Sequence, residues 1–422
     1  MYYDIIKLKE RREKMNKSLY RKYARVVVKL GANVRKDQRV IIVASTGASE
    51  FALHLQEEAY KAKAKEVTIR WTNSKATKNK YMYESVDTLS EIPVWVEERE
   101  KFYNKELPVM IYVEDSDPDA MAGVDNAKLA QVSMNMYKVM KKYRDERDNW
   151  YQWVIVAIPS KEWAVKVFPE DKPSVAVKKL WQAIIKCTRI DGKNPVKDWK
   201  EHIETLRTHA RILNEYHFDY LEYKSKNGTD LKIKLHPQHS WSAAREKSLK
   251  KIEFTANMPT EEVFTMPYKN GVDGVVVSTK PLSLRGQLVE NFKVYFKDGV
   301  AYKVEAEKGQ EVLETVVNSD EGSKRLGEVA LVPYDSPINQ SGILFYNTLF
   351  DENASCHLAF GESFKDNIQG YEKMNEEDWK KVDRNQSSIH VDFMIGSKDL
   401  SIVGYTKEGK KVQIFKNGNW VI

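Results

Sequence analysis

Cysteine is scarce in this sequence, which limits both disulfide chemistry and thiol catalysis. Only Cys187 and Cys356 occur in 422 residues. Two cysteines in so long a chain do not make a disulfide framework, so we expect a reducing compartment. Cys356 precedes His357, but no Cys-His-Asn pattern accompanies the pair to support a nucleophile. A small buried thiol is therefore the favoured interpretation of Cys356.

Long apolar runs are missing as well. No run approaches the ~18 residues that a helix needs to span a bilayer. The N-terminal stretch MYYDIIKLKERREKMNKSLY lacks the apolar region and the cleavage site of a secretory signal peptide. We therefore expect a soluble, cytoplasmic protein that has no membrane partner.

Neither sign of charge is in large excess. The formal net charge of +7 comes from 68 basic and 61 acidic residues. The basic residues are spread along the chain, and short runs such as Lys247–Lys251 are typical of solvated faces. We expect no nucleic-acid partner. The length indicates two domains or one large one.

Strands and helices alternate in the first half of the chain. Leu19–Leu30 has the spacing of an amphipathic helix. Further helical segments separate four short β-prone runs, which are Arg39–Ala44, Lys65–Trp71, Val109–Val113 and Trp153–Ile158. Strands that alternate with helices of this kind indicate a mostly parallel α/β sheet.

The pattern changes after about Tyr216 into short runs with alternating or β-branched residues. Asp298–Gly299 lies between two such runs, and an Asp-Gly pair is a strong hairpin signal. Glu408–Gly409 indicates a second hairpin. We therefore predict the fold class α/β plus α+β, with a mostly parallel N-terminal α/β domain at residues 1–215 and a β-rich catalytic domain at residues 216–422.

A long amphipathic helix is predicted at Val196–Leu213, next to this boundary. We interpret it as the hinge between the two domains. His202 and His209 both lie on this helix, but no acidic residue is placed to complete a site with them. Surface positions are the favoured interpretation of both histidines.

Two histidine–carboxylate pairs stand out in the second half, Glu352 with His357 and His390 with Asp392. His390 and Asp392 flank one apolar residue in a β-prone run, and positions i and i+2 of a strand point to the same face. Such a pair could share a metal ion. An isolated His-x-Asp is nevertheless most often a surface pair or a satisfied core pair.

Carboxylates inside apolar or turn-like segments favour the metal interpretation. Glu328 opens the apolar run Val329–Val332, and Glu261 and Glu262 lie within NMPTEEVFTMP. A carboxylate in such a position has to be paired, coordinated to a metal, or placed at the rim of the core, because burying it alone is costly.

Four ordered segments resemble the motif set of the aminopeptidase T family, also called PepS or AmpS, which are thermophilic-type metallo-aminopeptidases. The segments are NMPTEEVFTMP, RLGEVALVP, LFDENASCHLAFG and SSIHVDFMIGS. YARVVVKLGANVRKDQRVII and SDPDAMAGVD, both in the first half, are also similar to this family, so the resemblance covers the whole chain. Four motifs in order are far more specific than any one alone.

This resemblance implies a two-metal exopeptidase and assigns a role to each candidate residue. Glu328 matches a carboxylate shared by both metals. The other implied ligands are Glu262, Glu352, His357, His390 and Asp392. Glu261 is the candidate general base, although sequence alone does not separate it from Glu262, which could exchange roles with it. The resemblance also implies a homodimer whose active sites face an enclosed cavity that admits short peptides.

The chemistry of these residue types agrees with that assignment. Four carboxylates and two imidazoles can hold two dications about 3.5–4 Å apart when one carboxylate bridges them. Oxygen and nitrogen ligands without thiolate suit zinc, cobalt, manganese or magnesium alike. Two such ions lower the pKa of a bound water, polarise the scissile carbonyl and offer the free α-amine of a peptide a place to bind.

Phe364 departs from the family pattern. The family usually has HLAxGxxY, with tyrosine at this position, and the usual Gly-Gly that follows is Gly370–Tyr371 here. A tyrosine hydroxyl could stabilise the tetrahedral intermediate, a contribution on the order of 10²-fold in rate. Either Tyr371 replaces it, or the enzyme is slower, or the hydroxyl is dispensable. A non-catalytic or weakly active metal- and peptide-binding homologue is therefore the alternative function, and another kind of two-metal hydrolase is the third.

Overall fold

The structure, a computed structural model, describes residues 18–115, 117–284 and 287–422. Most of the N-terminal stretch without a signal-peptide core, and Ser116 of SDPDAMAGVD, lie outside the described residues. Within the described part, no helix has both the length and the apolar character needed to cross a bilayer.

The strands are, in chain order, β1 Arg39–Ser45, β2 Glu66–Thr72, β3 Val109–Glu114, β4 Trp153–Ala157, β5 Tyr220–Lys224, β6 Asp230–Leu235, β7 Ser242–Ala243, β8 Glu246–Lys247, β9 Glu253–Phe254, β10 Asn257–Met258, β11 Val263–Thr265, β12 Pro267–Val277, β13 Leu282–Leu284, β14 Gln287–Lys297, β15 Val300–Lys308, β16 Leu326–Leu331, β17 His357–Gly361, β18 His390–Met394, β19 Ser401–Tyr405, β20 Lys411–Lys416 and β21 Asn419–Trp420.

The helices are α1 at residues 18–26, which continues into a π-helical turn at Val27–Gly31, then α2 Ser49–Lys61, α3 Ser74–Tyr83, α4 Val86–Ser90, α5 Val94–Glu106, α6 Asn126–Arg147, α7 Lys161–Val167, α8 Pro173–Cys187, α9 Pro195–Tyr216, α10 Gln310–Val317, α11 Pro337–Gln340, α12 Thr348–Asp351 and α13 Glu376–Lys381. Several begin with a side-chain cap that accepts from free backbone N–H groups; the capping residues include Asn73, Ser85, Asp125, Ser160 and Asn375.

The chain divides into two compact units. One comprises residues up to Lys200 together with Arg245–Met258, and the other comprises Glu201–Ala244 together with Pro259–Ile422. The chain therefore returns once to the first unit before it completes the second. This division does not test whether residues 1–215 and 216–422 fold as separate domains, so the predicted boundary at residue 215 stays a prediction.

A five-stranded sheet in the order β10-β4-β3-β1-β2 forms the centre of the first unit, and all its pairings are parallel. The predicted parallel α/β sheet is thus confirmed. β10 was not predicted, because two residues are too few to show a periodic pattern. Its strand pairing explains why the segment Arg245–Met258 belongs to this unit.

The second unit is antiparallel and β-rich, as predicted. A long sheet runs in the order β13-β14-β12-β6-β5-β19-β20-β21, with β15 paired to β14. A second sheet runs in the order β18-β17-β16-β11-β7. Side chains of both sheets belong to one apolar core, in which the rings of Phe360 and Phe393 stack with centroids 4.8 Å apart.

Both predicted hairpins are present. Asp298 and Gly299 join β14 to β15 with φ angles of 48° and 80°, the left-handed backbone that a two-residue type I′ turn requires. Gly409, with φ of 84°, lies in the loop between β19 and β20. A Cβ on Gly299 would overlap the carbonyl oxygen of Lys269, whereas a Cβ on Gly409 would have no atom within 4 Å.

Alanine substitutions at these two glycines separate the destabilisation caused by steric overlap from the destabilisation caused by backbone strain. Gly299→Ala and Gly409→Ala both place alanine at positive φ, but only the first adds a backbone overlap. We expect Gly299→Ala to lower the free energy of unfolding by about 1–3 kcal/mol more than Gly409→Ala. Urea unfolding followed by circular dichroism measures the difference, and equal losses would contradict the packing described for this hairpin.

Candidate metal centre

Three neighbouring strands present four of the six candidate ligands on one face of their sheet. Ala359 on β17 pairs with Glu328 on β16 and with Asp392 on β18, so these three residues form a row across the sheet. His357 and His390 lie two residues from Ala359 and Asp392 and therefore share this face. The period of a strand thus brings residues from distant motifs together.

The same face has room for ligands because its other side chains are small. Ala330 pairs with His357, and Gly361 pairs with His390. The opposite face carries bulky residues of the core, among them Leu358 and Phe360, which are 0% exposed. This alternation gives the sheet an apolar side that packs and a polar side that can bind.

Glu328 lies between the two histidines. Its Oε1 is 3.4 Å from Nε2 of His357, and its Oε2 is 3.5 Å from Nε2 of His390. Nε2 of His357 is also 3.2 Å from Oε2 of Glu262, and Nε2 of His390 is 3.3 Å from Oδ1 of Asp392. Each oxygen of Glu328 therefore faces a different histidine.

Two groups of potential metal ligands result, Glu262 with Glu328 and His357, and Glu328 with His390 and Asp392. Within each group the ligand atoms lie within 4.8 Å of one another. The side chains of Glu262, Glu328 and Asp392 are each at most 10% exposed. Five of the six candidate ligands are thus brought together, with Glu328 common to both groups.

Backbone carbonyls orient both histidines. Nδ1 of His357 is 3.2 Å from the carbonyl oxygen of Ser355, and Nδ1 of His390 is 2.7 Å from that of Glu362. We assign the Nδ1–H as donor in each contact, which directs Nε2 towards the carboxylates. This arrangement is the usual one for histidines that bind metals through Nε2.

Glu352, the sixth candidate ligand, lies in a 3₁₀ turn at Glu352–Ala354 and belongs to neither group of three. Its carboxylate Oε1 accepts from Nδ2 of Asn353 at 3.3 Å. Burial raises its pKa well above the usual range, and the negative charges of Asp392 and Glu262 raise it further. Glu352 is therefore close enough to interact with the cluster electrostatically.

Glu261 belongs to neither group of potential ligands among the described residues. Its Oε2 is 3.7 Å from Nε2 of His202, which also contacts the carbonyl oxygen of Thr260 at 2.7 Å. Glu262, next to it in the chain, joins the ligand groups, whereas Glu261 does not. The assignment of Glu261 as base stays a prediction. The side chain of His202 is only 11% exposed, so the surface position predicted for this histidine is wrong.

The charges of the cluster depend strongly on one another. Burial tends to lower the pKa of His357, but hydrogen bonds to Glu262 and Glu328 outweigh it and raise that pKa well above the usual range. Burial acts in the same way on His390, where Asp392 and Glu328 raise the pKa to about 10. Without metal, the two protonated histidines thus compensate part of the negative charge of the carboxylates.

Phe364 lies beside the second ligand group. Its ring centroid is 4.6 Å from the imidazole of His390 and 6.4 Å from the ring of Phe264, and the residue is 40% exposed. Tyr371, the possible replacement for a tyrosine here, packs against the small apolar cluster that contains Met266. The position at which the family usually has tyrosine therefore places a phenyl ring without a hydroxyl beside His390.

Comparison with known proteins gives a consistent result. The family model described as "Thermophilic metalloprotease (M29)" matches residues 16–420. Aminopeptidase AmpS of Bacillus subtilis (strain 168) is 45% identical over 399 residues, which cover 94% of this chain and 97% of the relative. Aminopeptidase T of Thermus aquaticus is 35% identical over 402 residues, covering 95% and 98%.

A solved structure is similar over the same length. It is described as wild-type AmpT from Thermus thermophilus, has a TM-score of 0.89 and 34% sequence identity, and covers 96% of this chain and 100% of its own. The similarity in sequence and in fold therefore extends across both units of the chain.

The shared position of Glu328 predicts that metal binding at the two candidate ligand groups is lost together. Glu328→Gln removes the negative charge while keeping the shape of the side chain, so we expect the affinity for divalent metal to fall at both sites by at least about tenfold. Glu321→Gln is the matched control, because Glu321 is 80% exposed and pairs with Lys324. Metal titration with elemental analysis provides the measurement, and loss of one ion alone would contradict a shared carboxylate.

Metal binding is also expected to release protons. With a pKa of about 10, His390 holds a proton at pH 7 in the metal-free protein, and coordination requires that proton to leave. The apparent metal affinity should therefore rise as the pH rises from 6 towards the histidine pKa. Calorimetric titrations in buffers of different ionisation enthalpy count the protons, and a heat that does not depend on the buffer would refute this coupling.

Proposed function

We propose that this chain, which belongs to the M29 family of thermophilic metalloproteases, is a metallo-aminopeptidase that removes N-terminal residues from short peptides with two divalent metal ions. The position of Glu328 carries the two-metal part of the proposal, because each of its carboxylate oxygens faces a different histidine. A carboxylate shared in this way is the usual bridge between paired ions.

The donor set fits divalent cations. Carboxylate oxygens and imidazole nitrogens converge from four chain segments, and the carboxylates of Glu262, Glu328 and Asp392 are buried. Bound cations would compensate the negative charge that the two histidines leave unmatched. Zinc, cobalt, manganese and magnesium all accept these ligand types.

The residues of the chain would divide the work as follows. Glu262 and His357 would hold one ion, His390 and Asp392 would hold the other, and Glu328 would be shared between them. Ions bound there would lower the pKa of a water molecule and polarise the scissile carbonyl. Glu352 lies beside the cluster and would complete the coordination from the turn that follows α12.

Glu261 is our proposed general base, and His202 is the residue that would orient it. In the present structure the Glu261 carboxylate lies against His202.

Recognition of the free N-terminus would use the acidic side of the site. A small cavity of about 50 Å³ is lined by Glu352 and Asp392 together with the apolar side chains of Leu282 and Met394. A protonated α-amine would be attracted by the carboxylate of Asp392, whereas an acylated nitrogen carries no charge. The cavity thus favours exopeptidase action over cleavage within a chain.

Because the chain resembles the aminopeptidase T family, we propose that it forms a cytoplasmic homodimer whose active sites face an enclosed cavity. Such a chamber would admit short peptides and exclude folded proteins.

The second candidate function is a weakly active or non-catalytic metal- and peptide-binding homologue. Phe364 favours it, because the phenyl ring 4.6 Å from His390 has no hydroxyl to donate to an intermediate.

Activity measurements separate these functions. We expect the protein, stripped by chelator and reloaded with cobalt or zinc, to hydrolyse leucine p-nitroanilide. N-acetyl-leucine p-nitroanilide should react at least about 100-fold more slowly, because the amine charge is lost. His357→Ala should be inactive, whereas the control Glu321→Gln should keep its activity. Full metal occupancy without turnover would instead support the binding protein, and cleavage of p-nitrophenyl phosphate alone would support a different hydrolase.

A further inference from the structure

The first unit contains a cavity of about 410 Å³ that the proposed peptidase chemistry does not use. It is bounded by the sheet, through β2 and β3, and by helices α3, α5 and α6. Four arginines, four tyrosines and three methionines line it, together with Glu100 and Ser133. A cavity of this size falls within the range that holds small organic molecules.

Positive charge dominates the lining. Glu100 is the one carboxylate among the lining residues, so four arginines against it leave an excess of three positive charges. Arg99 approaches Oε1 of Glu100 at 3.0 Å, and Arg147 approaches Oε2 at 2.8 Å. The side chain of Glu100 is 5% exposed. These two arginines therefore have a structural role, which is to compensate a buried carboxylate.

Arg70 and Arg144 are not explained in this way. In the described part of the chain, neither makes an ion pair. Arg70 pairs with Val43 of β1, which in turn pairs with Tyr112 of β3, so Arg70 and Tyr112 lie in one row on the cavity side of the sheet. The guanidinium carbon of Arg144 lies 4.9 Å above the ring of Tyr137.

We propose that this cavity binds a small organic anion that has a flat aromatic body. Arg70 and Arg144 would hold the anionic group, since guanidinium matches carboxylate and phosphate oxygens with paired N–H donors. The tyrosine rings and methionine side chains would contact the apolar body. Carboxylate and phosphate compounds share this chemistry, and the experiment distinguishes them.

Calorimetric titration of the full-length, metal-loaded protein tests the site with four probes. Phenylacetate and phenyl phosphate combine charge with a ring, benzyl alcohol has the ring without charge, and inorganic phosphate has charge without a ring. We expect at least one aromatic anion to bind with a Kd below about 1 mM, and the other two probes to bind at least about tenfold more weakly. The aromatic anion that binds more tightly identifies the anionic group.

Variants then locate the binding. The double variant R70Q/R144Q should lower the affinity for the aromatic anion by at least about tenfold. R35Q is the matched control, since Arg35 is an exposed arginine of the same unit that does not line the cavity. Ser133→Trp fills the cavity with both arginines retained and should also prevent binding. Hydrolysis of leucine p-nitroanilide should be unchanged in all three proteins, which shows that each is folded.

Several results would overturn the proposal. One is that neither aromatic anion binds the unaltered protein at millimolar concentration. Another is that R35Q loses as much affinity as R70Q/R144Q, or that Ser133→Trp binds as tightly as the unaltered protein. Equal binding of inorganic phosphate and phenyl phosphate would refute the aromatic part of the assignment.

Discussion

The burial of several carboxylates at one place is the constraint on which the second unit depends. Glu262, Glu328 and Asp392 lie close together in a poorly solvated setting, with Glu352 beside them. Carboxylates so placed repel one another and lose hydration, so the fold needs positive charge among them. Two histidines supply it as protons when metal is absent, and divalent ions would supply more when bound. Stability and metal affinity are therefore linked through the same groups.

The sheet turns this constraint into a defined geometry. β16, β17 and β18 direct their polar side chains to one face, while Phe360 and Phe393 stack on the other face. Packing on the apolar face fixes the backbone positions, which in turn fix the distances between the ligand atoms. Sites on strands are positioned more accurately than sites on loops for this reason. Glu352 comes from a turn instead, and it alone among the six candidate ligands stands outside the two groups.

Sequence reasoning located those parts of the molecule that depend on local pattern. The two-residue period predicted the common face of His390 and Asp392. The apolar neighbours of Glu328 predicted that its carboxylate would be paired, coordinated to a metal, or placed at the rim of the core. Two features depend on contacts between distant residues and could not be predicted in this way. One is β10, which pairs with β4 although only two residues take part. The other is the contact of His202 with Thr260 and Glu261, which places a helix histidine inside instead of on the surface.

Charge compensation distinguishes the two polar regions of the chain. Around Glu328 the uncompensated groups are negative, so a cation is the expected ligand. Around Glu100 the carboxylate is already matched by Arg99 and Arg147, and the groups left over are the positive charges of Arg70 and Arg144. The sign of the unmatched charge, more than the number of charged residues, thus indicates what each region can bind. The overall net charge of +7 conceals this difference, because it averages an acidic centre in one unit with a basic cavity in the other.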